Sequence, residues 1–257
     1  MIESVAGGSA SVESAPAESL TPARVLLGRA GSSYRTATML ALRADHAAAR
    51  DALHEHVELD VPPLAELVTR LGIFEVATQA TTFAEHLARP DLGRRLSDAA
   101  MEQLATSCPS PVDVQFLIGD GLSSAAVRTQ VPVLLPMLIE AATDRGLRVG
   151  RPFFVRNCRV GVLNDVGATI DAEVVVLLVG ERPGLATAES LSAYLAWRPR
   201  PGDTDERRNL ISNIHAGGVP PAAAVGRILG LVEQLRLHRR SGFEVHESTS
   251  SPAVIAN

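Results

Sequence analysis

The sequence predicts an α/β fold: a Rossmann-like, mostly parallel sheet flanked by helices, with a helical N-terminal part. Three observations carry this. Residues 174–185 read VVVLLVGERPGL, a run of β-branched and leucine residues that stops at Gly180-Glu181-Arg182-Pro183-Gly184. A continuous apolar run closed by Gly and Pro fits a strand buried on both faces of a parallel sheet. Residues 113–118 (DVQFLI) repeat the grammar, running into Gly119-Asp120-Gly121-Leu122-Ser123 before a helical pattern. After Pro109-Ser110-Pro111, strand and helix patterns alternate, as they do when crossover helices link parallel strands. Ligands of open α/β sheets bind beyond the carboxyl ends of such strands, so Asp120, Glu181 and Arg182 fall where a ligand would lie.

The elements follow in order. Residues 1–22 are rich in Ser, Ala and Gly and hold too little apolar surface to offset the cost of ordering, so they are expected to form a disordered tail. Residues 23–108 read as the helical part. Thr36 is expected to cap a helix through Met39, Leu40, Leu42, Ala47 and Leu53. Pro62-Pro63 breaks it, short helical pieces follow at 64–71 and 83–87, and Pro90-Asp91 opens a helix over 92–107 carrying Arg94-Arg95. This makes the first third a helical layer. Residues 109–242 read as the α/β domain. Ser123 caps a helix expected to be interrupted at Pro132 and Pro136 before it reaches Gly146. Residues 152–162 (PFFVRNCRVGV) read as two short strands about a turn at Asn157-Cys158, 164–170 as a short helix and 194–197 as a strand. A Pro- and Gly-containing loop leads to the segment 207–215. The last helix, 222–240, keeps Val225, Ile228, Leu229, Val232 and Leu235 on one face, ends in cations that favour the macrodipole, and has Gly242 available to close it. Residues 243–257 are expected to be a flexible tail.

Composition excludes several function classes. The 257 residues can bury a sizeable core, and 46% hydrophobic with 21% charged residues is ordinary for a soluble protein. A net charge of −5 offers no basic footprint for nucleic acid. No apolar run approaches the length of about 20 residues that spans a bilayer, and no basic segment followed by an apolar core marks a secretory signal. The two cysteines, Cys108 and Cys158, suggest no disulfide framework, so the chain reads as cytosolic. Metal-binding spacings such as C-x-x-C or H-E-x-x-H do not occur.

Among candidate chemistries, GERPG lacks the G-x-G-x-x-G spacing and no P-loop occurs, so dinucleotide and P-loop readings fail. Ser123 lies outside any G-x-S-x-G elbow and is explained as a helix cap. Asn213-Ile214-His215-Ala216-Gly217-Gly218 has the spacing of the D-x-H-x-x-G motif, in which a histidine replaces the lower cobalt ligand of cobalamin. Here Asn213 stands where the orienting acid belongs. A loop histidine beside a Gly-Gly turn is the favoured reading. Arg94-Arg95 and Arg207-Arg208 could each grip a phosphate or carboxylate, be solvated at the surface, or lie at an interface, and a bare arginine pair does not choose between these. Asp120 and Glu181 could accept hydrogen bonds from a ligand's amides, or stabilise the start of the following helix.

Seven segments in order are more specific than any one alone: GRAGSSYRT (28–36), ADHAAARD (44–51), RPDLGRRL (89–96), DVQFLIGDGLS (113–123), VGRPFFVR (149–156), VVVLLVGERPGL and ISNIHAGG (211–218). Together they closely resemble the small (light) subunit of ethanolamine ammonia-lyase, from about Arg24 to Gly242. The resemblance implies a lyase that uses adenosylcobalamin and radical chemistry to convert ethanolamine to acetaldehyde and ammonia. It implies a hetero-oligomer with a large subunit, a TIM barrel that carries the substrate pocket and the catalytic residues, with the cofactor between the two subunits. Residues 109–242 would then be the cobalamin-binding domain, and the cofactor would stay base-on, keeping its own dimethylbenzimidazole as lower ligand. The implied cofactor-binding positions are Val160, Glu181 and Leu210; no metal ligand is implied. Val160 would offer an apolar surface and Glu181 would accept from cofactor amides. At Leu210 relatives often carry cysteine, so packing or backbone contact replaces any sulfur role. The implied location is the cytoplasm or a bacterial microcompartment within it. An alternative reading, a non-catalytic α/β binding or scaffolding protein, is disfavoured by the intact GERPG and DGLS loops.

Overall fold

The computed structural model describes residues 28–247; the expected tail at 1–22 lies outside the described residues, as do 248–257. The chain opens with a two-residue hairpin, β1 (Arg29–Ala30) and β2 (Ser33–Tyr34), turning at Gly31. Helix α1 (Thr36–His54) follows. Its N-cap is Arg35, without a side-chain hydrogen bond, so the cap expected at Thr36 is not there; Thr36 is the first helical residue. Only Ala52 of α1 is buried, so most of this helix stands off the body. Helix α2 (Leu64–Leu71) stops at Gly72, which adopts the left-handed conformation (φ 62°) that closes many helices.

Strand β3 (Phe74–Ala77) corrects the expectation of an all-helical first third. Four residues carry too little alternation to announce a strand; pairing decides it, because β3 lies parallel to β5 (Phe153–Arg156) in the register Phe74↔Phe153 to Ala77↔Arg156. Helix α3 (Phe83–Ala88) is capped by Thr82, which accepts from Glu85 N at 3.2 Å, while Glu85 Oε2 reaches back to Thr81 N at 2.9 Å. The single helix expected over 92–107 is in fact two pieces. A 3-10 turn, Leu92–Arg94, gives way to extended Arg95, and α4 (Asp98–Ser107) begins only after Ser97, whose hydroxyl accepts from Ala100 N. The break has a physical cause. Extended residues pair with the end of β3 (Ser97 N donates to Ala77 O, and Gln79 N to Arg95 O), and the Asp165 carboxylate takes Leu96 N. These bonds replace the helical ones.

Strand β4 (Val112–Gly119) is buried at every position. Ser123 caps α5 (Ser124–Asp144) as expected, accepting from Ala126 N at 3.1 Å. Contrary to expectation, α5 runs unbroken through Pro132 and Pro136. Each proline removes one N–H, but Val127, Val131, Leu134, Leu135 and Leu138 are fully buried along this helix, and that burial outweighs the lost bonds. The second short strand expected in 152–162 is absent: after β5, Asn157 turns the chain at φ 56°, and α6 (Val162–Thr169) starts at once. Strands β6 (Ala172–Gly180), β7 (Leu191–Trp197) and β8 (Asn209–Ile214) complete the sheet. The last helix, α7 (Pro221–His238), ends at left-handed Arg239 and not at Gly242. Gly242 instead donates to Asn209 Oδ1, and the packed chain continues to buried Val245.

The six-stranded sheet has the order β3-β5-β4-β6-β7-β8; the first four strands are parallel, β7 is antiparallel to both its neighbours, and β8 therefore runs in the direction of the first four. Alternate residues of β6 face opposite layers. Val174, Val176 and Leu178 join one core with α5 and α7 residues such as Leu135 and Leu229. Val175, Leu177 and Val179 join the other, with Leu104 of α4 and Leu163 of α6. Burial on both faces explains why β4 and β6 are the plainest strands in the sequence.

Candidate functional site

The carboxyl ends of β4, β5 and β6 open on one edge of the sheet, and β8 ends there too, since Gly180 and Ile214 both pair with Leu191. At this edge the loops after β4 and β6 touch backbone to backbone: Leu122 N donates to Gly180 O at 3.0 Å. Glycine is needed on both sides. A Cβ on Gly121, already at φ 60°, would lie 2.3 Å from Gly180 O, and one on Gly180 would lie 2.3 Å from Ser123 O.

The two strand-end acids have different fates. Asp120 is sealed between loops: Oδ1 accepts from Gly121 N (2.9 Å) and Cys158 N (2.7 Å), and Oδ2 from Asn157 N (2.7 Å). Burial pushes its carboxyl upward, opposed by these amides. Asp120 thus clamps the β4 loop to the β5 loop. Neighbouring His86 is fully buried, with Nε2 donating to Gly121 O at 2.9 Å; burial, then Arg159, pushes its pKa down, against Asp120 and the backbone bonds.

Glu181 lines an open cleft of about 430 Å³ beside this clamp, together with Val160 and Leu210. All three residues singled out from the sequence therefore meet in one place, from the β5–α6 turn, the end of β6 and β8. Glu181 Oε1 accepts from the Ser192 hydroxyl (2.6 Å) and from Asn213 N (2.9 Å), which fixes the carboxylate at the rim. Val160 is half-buried, and Leu210 is 45% exposed, so its apolar side chain is free to pack against something else. Tyr194, paired with Leu210 across the β7–β8 ladder, also faces the cleft; burial and then Glu181 push its phenol upward. Arg159 and Arg182 complete the charged lining. Arg159 carried no signal in the sequence, because only the turn at Asn157 brings it to this edge.

Other candidates are absorbed by the fold. Arg94 and Arg208 both pair with Asp205, Arg95 with Asp165 and Arg207 with Asp203. Both arginine pairs therefore grip carboxylates, but internal ones. His215 is buried in its Gly-Gly turn: Gly217 N donates to Nδ1 (3.1 Å) and Nε2 donates to Asn213 Oδ1 (2.8 Å). Neither ring nitrogen is spare.

Comparison with known proteins shows the family. Residues 13–246 match the family described as ethanolamine ammonia-lyase light chain. The chain is 42% identical over 225 residues to the ethanolamine ammonia-lyase small subunit of Clostridium perfringens, covering 88% of this chain and 74% of that one. It is 36% identical over 228 residues to the protein of the same name from Clostridium acetobutylicum, covering 89% and 92%. It is 40% identical over 226 residues to that of Listeria monocytogenes, covering 88% and 75%. The chain belongs to the ethanolamine ammonia-lyase small-subunit (light-chain) family.

Proposed function

We propose that this chain holds adenosylcobalamin for an ethanolamine ammonia-lyase that converts ethanolamine to acetaldehyde and ammonia, and that it is active only in a hetero-oligomer with a TIM-barrel large subunit. The observation that carries the reading is the convergence of Val160, Glu181 and Leu210 on one cleft at the carboxyl edge of the sheet. The lining suits a broad corrin fringed with amides. Val160 and Leu210 offer apolar surface, and fixed Glu181 is an acceptor for amide N–H groups. Bound adenosylcobalamin would supply the radical chemistry. The residues of this chain bind and orient it and, with the large subunit closed over the cleft, exclude water. The committed ring nitrogens of His215 favour base-on binding. The setting expected for such an enzyme is the cytoplasm, free or inside a microcompartment.

The test is co-expression with the candidate large subunit, followed by an assay of ethanolamine deamination with added adenosylcobalamin. The complex should turn over and the isolated chain should not. Turnover by the isolated chain, or an assembled complex that ignores the cofactor, would defeat the proposal.

A further inference from the structure

We infer that Arg159 and Arg182 form an anion subsite in this cleft that grips the phosphodiester of the cofactor's nucleotide loop, an inference that rests on the cofactor reading above. The half-buried Arg159 guanidinium spends Nη2 on His86 O (2.8 Å), while its Nε is buried with no hydrogen-bond partner. Among the described residues, nothing pairs with the exposed Arg182 guanidinium. The two lie close enough that Arg182, after burial itself, pushes the Arg159 pKa down. Like charges sharing one cleft repel, and an anion between them relieves the repulsion.

Among the described residues no carboxylate hydrogen-bonds either guanidinium, although the charge of nearby Asp120 offsets part of the repulsion at Arg159. Both oxygens of nearby Asp120 are taken by backbone amides, and Glu181 Oε1 is taken by Ser192 and Asn213. The contrast with Arg94, Arg95, Arg207 and Arg208, each facing a carboxylate, sets this pair apart. In adenosylcobalamin the groups around the corrin are neutral amides, and the phosphodiester is the one anion. Planar guanidinium forks suit phosphate oxygens. The cleft is then polarised, with Glu181 toward amide donors and the arginine pair toward phosphate. That arrangement sets the direction in which the cofactor lies and favours complete cobalamins over corrinoids that lack the nucleotide loop.

The test titrates the assembled complex of both full-length subunits with adenosylcobalamin, adenosylcobinamide phosphate and adenosylcobinamide, following binding by equilibrium dialysis. Wild type should prefer the two phosphate-bearing ligands. Arg182→Gln and Arg159→Gln should each weaken those two by roughly tenfold to a hundredfold and leave adenosylcobinamide within about twofold. Arg182→Lys should recover part of the loss. Equal losses for all three ligands, no loss for any, or a wild type indifferent to the phosphate would overturn the inference alone. Because Arg182 sits on an exposed loop, its variants report even if Arg159→Gln disturbs packing beside His86. If wild type binds none of the three, the cofactor reading itself falls.

Discussion

Glu181→Ala would remove the acceptor shared by the Ser192 hydroxyl at 2.6 Å and the Asn213 amide at 2.9 Å. The two donors respond differently. Ser192 is only 3% exposed, so its hydroxyl loses its partner where water cannot replace it, at a cost of about 1–3 kcal/mol. Asn213 is exposed and its N–H can turn to solvent, adding little. The expected loss of stability is therefore about 1–2 kcal/mol. Glu181→Gln keeps a carbonyl oxygen for both donors and should cost under about 0.5 kcal/mol. Cofactor binding should follow the same order, with alanine weakening it roughly tenfold to a hundredfold by leaving cofactor amides unpaired. Urea unfolding followed by the single tryptophan, Trp197, measures the first effect, and cofactor titration of the assembled complex the second. An alanine variant with unchanged midpoint and affinity would refute the reasoning. A glutamine variant as unstable as alanine would show that charge, not the acceptor, matters.

Gly180→Ala should lower stability by about 1–3 kcal/mol, since its Cβ would press on the backbone oxygens of Ser123 and Asp120; a thermal melt equal to wild type would contradict the close approach of the two loops. Asp113 is held below the ordinary carboxylate value of 3.8 by its hydrogen bonds to Arg148, against burial. Its stabilisation is therefore present above that value and fades as pH falls below it through the folded pKa; Asp113→Asn should flatten this acid limb of an unfolding series, and an unchanged limb would count against the pair. His215→Gln should leave the Co(II) electron paramagnetic resonance signal of the loaded complex unchanged, whereas loss of nitrogen coupling would make His215 a cobalt ligand. Val176→Asp should abolish soluble folded protein by burying an unpaired charge in β6; a folded variant of wild-type stability would refute the two-sided burial of that strand.

What the sequence determined by itself was whatever local pattern suffices to dictate. Strands β4 and β6 are legible because a strand buried on both faces must be apolar almost throughout, and the Ser123 cap is legible because its bond to Ala126 N spans three residues. The ordered segments carried the family, and with it the expectation at Val160, Glu181 and Leu210, which line one cleft. Tertiary structure decided everything that depends on distant partners. Four residues became strand β3 because β5 lay beside them, and the helix read over 92–107 broke because β3 and Asp165 claimed its backbone. The first arginine doublet could have been an anion grip or solvated surface until Asp165 and Asp205 reached it from distant parts of the chain, whereas Arg207 and Arg208 pair with Asp203 and Asp205 close by in sequence. Asp120 and Glu181 share one local grammar, an acid in a glycine loop after a buried strand. The turn at Asn157-Cys158 closes over the first with two backbone amides, while the second is held at the open rim by Ser192 and Asn213. No local pattern records which loop folds over which carboxylate, because that choice is made by packing across the sheet.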